Sequence, residues 1–111
     1  MIYNDGSTYE GEWKDGEEHG KGKGVDEEGT VYEGDWDEGY KQGFGICHYQ
    51  NGDIYEGEWF ESERHGKGIL KYADGSEYSG EFKSDEEDGE GTKTLKDGTK
   101  QVGIFEKGEF Q

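Results

Sequence analysis

Tyr55-Glu56-Gly57-Glu58-Trp59 is the stretch of this 111-residue chain whose reading decides the fold. Side chains alternate between the two faces of a strand, so Tyr55, Gly57 and Trp59 share one face and Glu56 and Glu58 the other. The block does not stand alone. Tyr9-Glu10-Gly11-Glu12-Trp13 and Tyr32-Glu33-Gly34-Asp35-Trp36 precede it, and Tyr78-Ser79-Gly80-Glu81-Phe82 and Gln101-Val102-Gly103-Ile104-Phe105 follow. Two further markers advance in the same register: a Gly-x-Gly pair at Gly20/Gly22, Gly43/Gly45, Gly66/Gly68 and Gly89/Gly91, and a turn glycine at Gly6, Gly29, Gly52, Gly75 and Gly98. Composition bias can scatter glycines, but it does not keep three markers in phase at 23 residues.

The period divides the chain into a partial unit over 1–8, full units over 9–31, 32–54, 55–77 and 78–100, and a terminal half-unit over 101–111. Each unit reads as a β-hairpin. After the Tyr block, Gly66-Lys67-Gly68-Ile69-Leu70-Lys71-Tyr72 alternates again, with Gly66, Gly68, Leu70 and Tyr72 on one face. Asn51-Gly52, Asp74-Gly75 and Asp97-Gly98 predict tight turns with both central residues at positive φ. The opposite connections, Lys14–His19, Asp37–Gln42, Phe60–His65 and Lys83–Asp88, read as longer polar loops. The expected fold is all-β: an elongated array of antiparallel hairpins forming one twisted sheet. Glycines recurring on the aromatic face predict that the missing side chains make room for rings from neighbouring strands.

Composition excludes several functions. There are 29 acidic and 12 basic residues, a net charge of −17, which repels a phosphate backbone and speaks against nucleic-acid binding. Each full unit is net acidic, so direct binding to anionic lipid is disfavoured as well. The Gly-x-Gly pairs lack the remainder of a phosphate-binding loop. His19, His48 and His65 have no metal-ligand spacing, and Asp85-Glu86-Glu87-Asp88 lacks the pattern of a calcium loop. Ser62 and Cys47 stand in no recognisable nucleophile arrangement. Cys47 aligns with Leu70 and reads as a small packed residue. Neither an enzyme activity, a cofactor nor a metal is expected. A single cysteine makes a reducing, cytoplasmic setting the default.

Tyr-Glu-Gly-Glu-Trp, then His65-Gly66-Lys67-Gly68, then Ala73-Asp74-Gly75 resemble the MORN (membrane occupation and recognition nexus) repeat, and the resemblance covers essentially the whole chain. It implies one hairpin per repeat, stacked into a twisted sheet with a groove along one side. It also implies a role as an interaction or localisation module, alone or attached to a larger enzyme such as a lipid kinase. Departures lie in the first unit, where Gly24 and Asp26 replace the counterparts of Leu70 and Tyr72, and in the last, where Gln101 replaces tyrosine. Ile2-Tyr3-Asn4-Asp5-Gly6 matches the end of a unit, so Met1 is expected to open a piece of a longer protein.

The function expected from these residues is a non-catalytic protein-interaction scaffold or localisation module. Tyr32, Trp36, Tyr55, Trp59, Tyr78 and Phe82 form the candidate binding ladder, flanked by Glu33 and Glu56, and together they suit a partner segment rich in Lys and Arg. Homodimerisation through a sheet edge or an array end stays open, as does membrane targeting or the regulation of an attached enzyme. Association with cytoskeleton or membrane would then run through partners.

Overall fold

The computed structural model describes residues 2–111; Met1, and the expectation attached to it, lie outside the described residues. The strands are β1 (Thr8–Lys14), β2 (Glu17–Val25), β3 (Val31–Asp37), β4 (Tyr40–His48), β5 (Ile54–Phe60), β6 (Glu63–Lys71), β7 (Glu77–Lys83), β8 (Glu86–Thr94), β9 (Lys100–Glu106) and β10 (Glu109–Phe110). They form one antiparallel sheet in chain order. Ten strands at about 4.8 Å make a stack of roughly 43 Å, and the molecule measures 45 × 22 × 18 Å. Its radius of gyration of 15.0 Å exceeds the roughly 13 Å of a compact chain of this length. The all-β hairpin array read from the sequence is the fold.

The two kinds of connection are the reverse of the expected ones. The four segments read as six-residue polar loops are two-residue turns, because the strands run on to Asp15-Gly16, Glu38-Gly39, Glu61-Ser62 and Ser84-Asp85, and Lys107-Gly108 forms a fifth such turn. Both residues of each pair have positive φ, as at Glu38 (48°) and Gly39 (83°), a backbone twist that suits a right-handed hairpin. At Asn51-Gly52 only the glycine is left-handed, with φ 99°. Gly52 N donates to Tyr49 O (3.1 Å) and Tyr49 N to Asp53 O (2.9 Å), enclosing three residues. That is a type I turn closed by a glycine bulge. Left-handed geometry is costly for glutamate and well tolerated by asparagine. Glu38→Asn should therefore stabilise the protein by about 0.5 kcal/mol, read as a higher thermal midpoint.

A bulge recurs in the hairpin of each full unit. Gly57 pairs with Gly68 and Trp59 with Arg64, so β5 advances two residues while β6 advances four. Gly66 absorbs the excess at φ 72°, and the freed Lys67 N donates to Glu58 Oε2 at 2.6 Å. Glu12 (2.6 Å), Asp35 (3.0 Å) and Glu81 (2.6 Å) do the same for Lys21, Phe44 and Glu90. The second acid of each Tyr block is thus a bulge cap that replaces a missing ladder bond.

Glycines also align where the sequence could not show it. Gly11, Gly22, Gly34, Gly45, Gly57, Gly68, Gly80, Gly91 and Gly103 pair successively across nine strands. This row, bare on both faces, sets the shape of the sheet: rings lie against it on one side and a groove opens on the other.

Candidate functional site

On the first face each tyrosine ring lies flat along its strand over the glycine row. Tyr9, Tyr32, Tyr55 and Tyr78 donate their hydroxyls to the carbonyls of Glu12, Asp35, Glu58 and Glu81 at 2.8–2.9 Å. Each stands between two other rings, its own unit's and the next one's. Trp13, Tyr9, Trp36, Tyr32, Trp59, Tyr55, Phe82, Tyr78 and Phe105 run in one chain of edge-to-face pairs, with centroids 4.9–5.2 Å apart and planes at 82–88°. Each such pair adds roughly 0.5–1.5 kcal/mol beyond burial. Trp36 and Trp59 also donate Nε1–H to the carbonyls of Gly22 and Gly45 (3.2 Å). Beyond Gln101, where no tyrosine covers Gly103, the Phe110 ring comes within 3.2 Å of where a Cβ would stand.

Equivalent residues of successive hairpins roof this ladder. Lys41 Nζ lies 5.4 and 5.3 Å from the Tyr32 and Trp59 centroids, and the Arg64 guanidinium 5.6–5.8 Å from Tyr49, Tyr55 and Phe82. Arg64 is tethered to the next turn through Asp85 (Nε to Oδ1, 3.3 Å). Glu87, in the same position one repeat on, is buried, accepts the Tyr72 hydroxyl and faces Lys93 Nζ at 3.6 Å.

The structure divides the residues expected to bind. Tyr32, Tyr55, Trp59, Tyr78 and Phe82 are only 0–5% exposed, and Trp36 is half-buried. Their surfaces are taken up by one another, by the glycine row and by the Lys41 and Arg64 roof, so the ladder presented to a partner in the sequence reading is an interior core. Glu33 and Glu56 are exposed on the opposite face. Cys47 is fully buried, and Leu70 lies in the same core.

Burial has an electrostatic consequence. Desolvation pushes the phenols of Tyr32, Tyr49, Tyr55 and Tyr72 well up, and that of Tyr78 to about 12, with Glu87 adding to the rise at Tyr72 and Tyr78. The folded chain holds these protons more tightly than the unfolded chain, whose tyrosines ionise near pH 10. The stabilisation is complete below about pH 10 and disappears as pH climbs through the folded values. Phenolate absorbance and loss of sheet signal should therefore rise together in one alkaline transition. Ordinary titration of all the tyrosines in a still-folded protein would contradict this.

The other face is open. Between β4 and β9 it forms a groove of about 800 Å³, floored by Gly57, Gly68, Gly80, Gly91 and Gly103. Ile46, Glu56, Ile69, Ser79, Thr92 and Val102 face one another in sequence across it. Beside that row Phe44 pairs with Glu58, Lys67 with Glu81 and Glu90 with Ile104. Apolar side chains stand exposed here: Phe44 at 49%, Ile69 at 37%, Val102 at 69% and Ile104 at 49%. Toward β1 the character changes, because Lys23 lies opposite Glu10 and Glu33, and Lys21 forms an ion pair with Asp35. Among the described residues no group of three or more His, Cys, Asp or Glu side chains could hold a metal ion.

The MORN repeat profile matches residues 9–23, 32–54, 55–77 and 78–100. The chain belongs to the MORN-repeat family. No curated protein matches it. MORN repeats thus extend across residues 9–100 as a module built of hairpins. In this MORN array the sequence reading missed both the bulge caps and the roof. The caps carried a visible signal, an acid recurring at 12, 35, 58 and 81. The roof carried no uniform one, since its positions hold two acids, Glu18 and Glu87, and two bases, Lys41 and Arg64.

Proposed function

We propose that this MORN array is a protein-interaction module that docks a basic, partly apolar segment of a partner on the open face between β4 and β9. The observation that carries the reading is the coincidence on that face of exposed Phe44, Ile69, Val102 and Ile104 with the carboxylates of Glu56, Glu81 and Glu90, against Lys67 as the base in the lining. Apolar contacts supply affinity there, while the negative field speeds encounter and selects charge. Glu33 extends the acidic rim toward the lysine-neutralised end. Anionic headgroups meet the wrong sign of charge, so a membrane role would run through a partner protein. A cytoplasmic setting suits the single, buried thiol of Cys47.

The test uses a lysine- and leucine-rich peptide and, in parallel, vesicles containing phosphatidylserine or phosphoinositide. The peptide should bind, and weaken with salt. Glu56→Lys with Glu90→Lys should reduce affinity by about tenfold while the thermal melt stays unchanged, since both residues are exposed. Vesicle pelleting without peptide binding would reverse the reading in favour of lipid targeting.

A further inference from the structure

We infer that the segment received by the groove is an α-helix lying across the strands, parallel to the long axis of the array. The inference rests on the reading of this face as a protein-docking surface and specifies what docks there. Its basis is the backbone. Every strand from β4 to β9 has neighbours on both sides; the pairing is antiparallel, and where bulges follow Gly57 and Gly80 the freed N–H groups of Lys67 and Glu90 are already held by Glu58 and Glu81. The N–H and C=O groups of the glycine floor lie in the plane of the sheet and are engaged there. A peptide crossing this floor in an extended form would find no backbone partners, and each of its own buried groups left unpaired would be heavily penalised. A helix satisfies its backbone internally and presents only side chains. The groove's volume of about 800 Å³, between the side-chain rows on either side of the floor, supports the same conclusion, because it has room for a cylinder of side chains.

Dimensions agree. The five steps from β4 to β9 span about 24 Å, the length of a helix of about 16 residues. Ile46 and Ile69 stand two strands apart, about 9.6 Å, close to the roughly 10.5 Å between helix residues seven apart. The occupant is therefore an amphipathic helix whose apolar residues seven apart are set against Ile46 and Ile69, in the row that ends at Val102, with a Lys or Arg between them facing Glu56. On its other flank a Lys or Arg faces Glu90, beside Ile104.

Three synthetic peptides of identical Leu and Lys content and of about 16 residues decide the matter with the intact chain: one patterned as a helix, one alternating as a strand, and one helix-patterned with proline exchanged into its centre. Binding is read by fluorescence anisotropy. Far-UV circular dichroism reports helix gain against an all-β background. The helix-patterned peptide should bind at least about tenfold more tightly than the other two and gain helical signal on binding. Ile69→Asp, and separately Val102→Asp, should weaken it by about tenfold; both side chains are exposed, so the fold tolerates the change. If the alternating or proline-broken peptide binds equally well, the helix is wrong and the docking face stands. If no peptide distinguishes the native protein from the Glu56→Lys, Glu90→Lys variant, the docking face itself is wrong.

Discussion

Gly57→Val should destabilise the protein by about 4 kcal/mol, although valine is the better strand former. A Cβ at Gly57 would stand 2.4 Å from the Gly68 Cα, 2.6 Å from the Tyr55 hydroxyl and 2.7 Å from the Lys67 carbonyl. Two of these three atoms are backbone and cannot swing aside. Overpacking alone costs roughly 1–3 kcal/mol, and partly unseating a buried ring forfeits some of the roughly 1.5–3 kcal/mol of its burial. Together these outweigh the ~1 kcal/mol range of strand propensity. Gly29→Ala is the control: nothing lies within 4 Å of its Cβ, and φ is +91°. Only left-handed strain remains there, about 1 kcal/mol. Equal losses for the two variants would show that glycine serves backbone geometry alone and would remove the steric account of the row.

Tyr55→Ala should be of similar size, about 3–5 kcal/mol, with a different signature. Tyr55 joins Trp59 (5.1 Å) to Phe82 (5.0 Å), so its loss interrupts the ladder at mid-array. Stability in a repeat protein is a sum of units and nearest-neighbour couplings. Cutting one central coupling should therefore split unfolding into two steps, with hydrogen-exchange protection lost first around β5–β6. Tyr55→Phe keeps the ring and loses the hydroxyl's bond to Glu58 O at 2.8 Å, which should cost only about 1 kcal/mol. If phenylalanine proved as damaging as alanine, the ring contacts would not be what couples the units.

Much of the fold was legible because the repeat supplies its own controls. Tyr, Gly and Trp at alternate positions can share only one face of a strand, and five in-phase copies remove the ambiguity of a single short apolar run. The turns were misassigned because Asn51-Gly52 carries the composition of a two-residue turn, whereas Glu61-Ser62, which forms one, does not. There the register on either side, with Phe60 opposite Glu63 and Trp59 opposite Arg64, imposes the geometry on unfavourable residues. The candidate site was half legible. Glu56 sits in the groove wall, yet the rings expected beside it are on the other side of the sheet.

What the sequence determined alone is period, strand, face and the absence of bulk along one line, since each follows from local stereochemistry and spacing. Which face stays open is a tertiary matter. Tyr55 and Ile69 are both apolar strand residues, and nothing in their spacing says that one is enclosed and the other half-exposed. The decision comes from Lys41 and Arg64 folding over the ladder and from the bare glycine row, which lets tyrosine rings settle on one side of the sheet while its other side stays hollow. Enclosure depends on what neighbouring hairpins bring within reach, and that is set only once they have stacked.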